Sequence, residues 1–265
     1  MILGCVADDF TGASDAASFL QAGGANVILS NGIPEREDED ILEAQAVVIA
    51  LKTRTCPPGE AVDRSMAAFS WLKAHGARML YFKYCSTFDS TENGNIGPVL
   101  DAALERWDIP YTLLCPALLE NGRSVKDGKL YVNGVLLEDS PMKDHPLNPM
   151  RDSRLKYLME RQSRYPCFNL GEGELERGFR PYEKPGHYYL IPDYYEEKHG
   201  RMIAKQYSLT DTSPPARTLV HTAAATAMTA PTEISVPAEA DTTRVMPTAS
   251  TTSSLARLIT SMIYP

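Results

Sequence analysis

The order of apolar runs predicts an α/β fold: a doubly wound, mostly parallel sheet with a β-hairpin excursion near residues 124–137 and an irregular Thr/Ala/Ser/Pro-rich tail. Two observations carry the main part. Short apolar runs alternate with longer stretches of helical spacing through the first 115 residues, which implies parallel strands joined by helical crossovers. The runs are apolar throughout rather than at every second position, as strands buried on both faces are.

The elements follow in order. Residues 2–7 form an apolar run that stops at Asp8-Asp9, and residues 11–22 then show helical spacing with Phe19 and Leu20 inward, ended by Gly23-Gly24. Residues 25–29 and 46–51 are the next two strands. A helix over 59–75, a strand over 79–83, a helix over 96–107 and a strand over 111–115 complete the alternation. Residues 129–132 and 135–137 flank Asn133-Gly134, a two-residue hairpin signal, and this excursion is expected to cover a crevice. A helix over 153–163, an aromatic strand over 187–191 and a charged helix over 195–206 resume the pattern.

Residues 207–265 differ in kind. They hold 13 Thr, 10 Ala, 7 Ser and 6 Pro with no Gly and no Lys, where a usual glycine share of about 7% would place some four glycines. The expected organisation is a domain over 1–206 followed by a low-complexity tail over 207–265, disordered or translated out of frame.

A formal charge of −8 argues against non-specific nucleic-acid binding, which needs a basic footprint. It leaves room for a small anion held by a few local basic residues. Five cysteines, an odd number without C-x-x-C spacing, are expected to be reduced thiols. The N-terminus meets two acids before a signal-peptide core can form, and no run approaches the ~20 apolar residues of a membrane span. The expected setting is the cytoplasm, with no membrane partner; a homo-oligomer is compatible with the sequence.

In open α/β sheets the ligand lies outside the carboxyl ends of the strands. Polar segments stand at four such ends: Asp8-Asp9, Lys52–Thr55, Lys83–Thr87 and Cys115-Pro116-Ala117. Asp8 or Asp9 is the candidate general base, and either can accept from substrate hydroxyls; Asp9 or Thr11 capping a helix is the structural alternative. Thr11 and Gly12 open that helix, Gly12 letting backbone approach a ligand and the helix N-terminus offering N–H groups to an anion. Arg54 suits a carboxylate. Lys83, Ser86, Thr87, Asp89, Ser90 and Asn95 form the densest polar stretch and suit a polyhydroxy acid, with Asn95 as an N-cap on the alternative reading. Arg123 and His145 lie in or beside the excursion. No G-x-x-x-x-G-K-[ST] and no G-x-G-x-x-G following a strand is present, which argues against a Walker A site and a dinucleotide binder.

The strings ADDFTGASDAASFL, KYCSTFDSTENGNIGPV, CPALLENGRSVKDGKLYV followed by MKDHPLNPM, and HYYLIPDYYEEKHG resemble the four-carbon acid sugar kinase family, in its 3-oxo-tetronate kinase branch, over residues 1 to about 206. The resemblance implies an N-terminal α/β domain that binds a small anionic sugar acid and a glycine-rich C-terminal domain that binds ATP. The family transfers a phosphoryl group to the terminal hydroxyl of 3-oxo-tetronate with Mg²⁺ assisting. Asn148 and Arg151 stand where the branch pattern has threonines. Nothing from Tyr207 onward resembles the family's continuation, so the nucleotide site is expected to be missing and the chain to be a truncated or frame-shifted member, inactive alone. A non-catalytic binder of small sugar acids, or a remnant without function, is the alternative.

Overall fold

The structure is a computed structural model that describes residues 1–35, 39–178 and 186–207; the predicted tail lies outside them. Four parallel strands, β1 (Leu3–Ala7), β2 (Val27–Asn31), β3 (Ala46–Ala50) and β4 (Met79–Lys83), form one sheet in the order β2-β3-β1-β4. A second parallel sheet has β5 (Tyr111–Leu113), β9 (Cys167–Leu170) and β10 (Tyr188–Pro192) in the order β5-β10-β9. The parallel architecture is as expected, though it comes in two hydrogen-bonded pieces.

The apolar runs explain the layers. Leu3, Cys5 and Ala7 face one core with Val48, Met79 and Tyr81, where α1 (Phe10–Ala22) packs Ala13, Ala16 and Leu20. Val6, Val47, Ile49, Leu80 and Phe82 face the opposite core, filled by Ala61, Ala68, Phe69 and Leu72 of α3 (Pro58–Ala74) and by Val99, Leu100 and Leu104 of α4 (Ile96–Arg106). Successive strand residues point to opposite faces, so only a run apolar at every position can feed two cores. Leu114, Cys115, Tyr189 and Ile191 belong to the second core as well, which joins the two sheets.

Several boundaries move. The second strand starts two residues later than predicted and is followed by a short helix, α2 (Glu39–Glu43), that went unpredicted. The helix predicted over 153–163 shrinks to α5 (Leu155–Glu160), and α6 (Glu172–Arg177) and β9 are additions. The final helix is α7 (Glu197–Tyr207). The excursion is a three-stranded antiparallel sheet of β6 (Arg123–Lys126), β7 (Lys129–Val132) and β8 (Val135–Leu136). Its two turns are built alike: Asp127 and Gly128 have φ of 52° and 70°, Asn133 and Gly134 of 52° and 80°. Both positions of a type I′ turn need positive φ, which Asn, Asp and Gly adopt most easily. Val125 bridges to Tyr194 beyond β10, and the Asp193 carboxylate accepts the Asp127 N–H at 2.8 Å, so the excursion is pinned to the end of the second sheet.

No helix among the described residues is long and apolar enough to cross a membrane.

Candidate functional site

The ends of β1, β3 and β4 are woven together by their backbones. Asp8 N–H donates to Lys83 O at 3.0 Å, and Leu51 and Thr53 N–H donate to Ala7 O and Asp8 O at 2.9 and 3.0 Å. This brings Asp8, Asp9, Arg54 and Lys83 to one place. Arg54 forks onto Asp8, Nε to Oδ2 at 3.0 Å and Nη2 to Oδ1 at 2.7 Å, and its Nη1 lies 2.8 Å from Asp9 Oδ2. Side-chain exposure falls from 30% at Asp9 to 21% at Arg54 and 7% at Asp8. Burial pushes the Asp8 carboxyl up from the usual carboxylate range against the pull of Arg54. Burial also works against the Arg54 charge, but the Asp8 hydrogen bonds and charge outweigh it and hold the guanidinium above its ordinary value.

Asp9 is the N-cap of α1: its Oδ1 accepts the Gly12 N–H at 2.7 Å. The capping alternative thus holds for Asp9, which also serves Arg54. Gly12 is needed by this cap and by lysine: a Cβ there would sit 2.7 Å from Asp9 Oδ1 and 3.1 Å from Lys83 Nζ. Lys83 is buried and donates to the Tyr84 carbonyl at 3.0 Å. Thr11 is exposed on the first turn of α1.

Beside this cluster lies a cavity of about 230 Å³ lined by Arg54, Asp89, Ser90 and Asn95, with Leu147 and Asn148 on its far wall. The Asn95 side chain makes no capping bond to α4. Its Nδ2 donates to the carbonyls of Thr53, Arg54 and Cys56, which fixes the loop that carries Arg54. Ser90 Oγ donates to Gln162 Oε1 at 3.0 Å, and the same oxygen accepts the Gly97 N–H at 2.9 Å. His145, beyond the excursion, does not line the cavity but touches two residues that do: its Nδ1 lies 4.0 Å from Asp89 Oδ1 and accepts the Asn148 N–H at 3.2 Å. The segment after the three-stranded sheet, rather than the hairpin, closes this side.

Some expected residues stand elsewhere. Arg123 opens β6 opposite Val132 and donates to the Asn121 carbonyl; it does not line the cavity. Thr87 is buried, its hydroxyl 3.0 Å from Cys85 Sγ, and Ser86 is half-buried beside it. Cys115, Pro116 and Ala117 are buried and do not line the cavity. Gln162, Leu147 and Asn148 were missed as site residues. Gln162 lies 72 positions from Ser90, and no local pattern announces such a partner.

A family model described as a sugar-binding N-terminal domain matches residues 3–230. The chain belongs to this family. The matched range runs past residue 206, the expected domain boundary. A 3-oxo-tetronate kinase of Brucella melitensis is 43% identical over 221 residues, 79% of this chain and 50% of the relative. One of Escherichia coli is 45% identical over 204 residues, 74% of this chain and 52% of the relative. A crystal structure of a Haemophilus influenzae protein superposes with a TM-score of 0.73 at 40% identity, covering 77% of this chain and 50% of that one. The chain therefore spans about half the length of these relatives, and the names of the two kinases agree with the resemblance its motifs carry.

A kinase also handles a nucleotide and a divalent ion. Among the described residues no group of three or more His, Cys, Asp or Glu side chains comes together as a metal site. Asp8 and Asp9 give their oxygens to Arg54 and to Gly12, the N–H that the α1 terminus would otherwise present to a phosphate. At this cluster, therefore, both carboxylates and that N–H are already engaged within the chain.

Proposed function

We propose that this chain is the sugar-acid-binding half of a 3-oxo-tetronate kinase, an ATP-dependent enzyme that phosphorylates the terminal hydroxyl of a four-carbon keto acid, working in the cytoplasm. The observation that carries the reading is Arg54: an arginine braced by two carboxylates that also lines a cavity sized for a small ligand. At about 230 Å³ the space is below the ~300–1,000 Å³ of drug-sized pockets. It has room for roughly seven waters at ~30 Å³ each, a volume suited to a four-carbon acid.

Arg54 takes the ligand carboxylate, and Lys83 adds positive charge behind it. Asp8 and Asp9, expected as catalytic groups, act on this reading as positioning residues that hold the guanidinium in place. Ser90 and Asn95 line the space for the hydroxyls. Phosphoryl transfer depends mainly on positioning and electrostatics, so an acceptor site of this kind contributes by fixing the attacking oxygen. On this reading the nucleotide belongs to the other half of the enzyme, and the chain alone is expected to bind the acid without turnover.

Isothermal calorimetry with 3-oxo-tetronate and with 2,3,4-trihydroxybutanoate tests the reading. Binding is expected for the wild type and a loss of at least ~10-fold for Arg54→Met, as for a lost charged hydrogen bond. No binding by the wild type rejects a sugar-acid site. ATP-dependent turnover by this chain would reject the assignment of the acceptor side alone.

A further inference from the structure

Two residues that line the 230 Å³ cavity, Asp89 and Asn95, each carry a buried oxygen, Oδ1, without a donor among the described residues. Buried polar atoms are nearly always paired, and an orphan at a cavity points to a ligand or an ordered water. The Asp89 side chain is only 9% exposed. Neither orphan is an accident of orientation. Rotating the Asn95 amide to satisfy Oδ1 would forfeit the three carbonyls that Nδ2 serves. His145 Nδ1, 4.0 Å from Asp89 Oδ1, uses its lone pair to accept the Asn148 N–H. The Ser90 hydroxyl is likewise spent as a donor on Gln162.

We infer that Asp89 and Asn95 form the hydroxyl end of the site, and that the Asp89 carboxylate accepts from the terminal hydroxyl of the bound acid. Resting on the sugar-acid reading above, this assignment gives Asp89 the contact expected of Asp8 or Asp9. The chemistry is complementary at both ends. The cavity offers one guanidinium and two bare acceptors, and a hydroxy acid offers one carboxylate and hydroxyl donors. A site of buried acceptors rejects a ligand that lacks the matching donor, because the acceptor is then left dry and unpaired. Asp89 is thus a specificity determinant.

The test compares 2,3,4-trihydroxybutanoate with its 4-deoxy analogue, 2,3-dihydroxybutanoate, by calorimetry on the wild type and on Asp89→Leu, which keeps the shape and removes the acceptor. The wild type is expected to bind the deoxy acid at least ~10-fold more weakly, and Asp89→Leu to bind the two within ~3-fold of each other. Removing an orphaned acceptor is not expected to lower the melting temperature, so the variant's folding is checked in the same preparation. Equal discrimination by both proteins overturns the assignment and leaves the sugar-acid reading standing. Failure of the wild type to bind either acid removes the reading and the assignment together. Arg54→Met serves as the contrast: it is expected to weaken both ligands alike and preserve their ratio.

Discussion

Arg54 grips Asp8 through two hydrogen bonds, 3.0 Å from Nε to Oδ2 and 2.7 Å from Nη2 to Oδ1, and so ties the loop after β3 to the end of β1. With Asp8 almost wholly buried, deleting the guanidinium strands a carboxylate in a dry site. Arg54→Met is expected to lower the unfolding free energy by about 3 kcal/mol, and the double variant Asp8→Leu, Arg54→Met to cost clearly less. Urea denaturation of the four proteins reads the coupling. Additive costs would mean that the fork contributes nothing to the fold.

At Gly12 the added methyl of Gly12→Ala meets the Asp9 carboxylate and the Lys83 ammonium at once. The lysine end is flexible and gives way, whereas the cap oxygen must leave the helix terminus. A loss of about 1 kcal/mol is expected, the usual worth of an N-cap. An unchanged melting temperature would show that Asp9 does not cap α1 in solution.

Asp101, buried in α4, accepts from Ser163 Oγ at 2.6 Å, the Arg164 N–H at 2.9 Å and the Tyr189 hydroxyl. It thereby holds the turn after α5 and the strand β10 against one helix. Asp101→Leu leaves those donors without an acceptor, and a cost of roughly 3 kcal/mol is expected. Asp101→Asn, which keeps an acceptor oxygen, is expected to cost less. A reversed order would contradict the network.

His199 is wholly buried in α7, with Nδ1 accepting the Glu196 N–H at 3.1 Å and facing the Tyr195 N–H at 3.4 Å. Its Nε2 lies 3.7 Å from Glu172 Oε1, with Lys198, Glu196 and Asp193 close by. Burial lowers its pKa from 6.5, ahead of the opposing pull of Glu172. The unfolded chain therefore takes the proton more readily than the folded one. The stability His199 contributes is complete above pH 6.5 and is lost as pH falls towards the lower folded value. Urea midpoints measured from pH 8 to pH 5 are expected to fall in the wild type and to fall less in His199→Gln. Parallel curves would exclude His199 as the source.

Much of this molecule is legible in its sequence. The runs at 2–7, 46–51 and 79–83 lie within a residue of β1, β3 and β4, since a strand sandwiched between two cores has little choice of composition. Asn133-Gly134 marked one turn, and Asp127-Gly128, the same chemistry six residues earlier, could have revealed β6. By contrast β9 and α6 are short and weakly patterned, and tertiary contacts decide them.

By itself the sequence determined the α/β class, the strand ends where polar residues gather and the motifs of a sugar-binding family. Each of these is a local property of neighbouring residues. Which groups face one another was decided by the tertiary structure alone. Asp8 and Asp9 turned from free carboxylates into braces for Arg54, the Asn95 side chain from a capping group into a clamp on three carbonyls, and Asp89 into a bare acceptor near His145. A carboxylate's role depends on which donors reach it: the one that reaches Asp8 lies 46 residues away, and no described residue donates to Asp89 Oδ1.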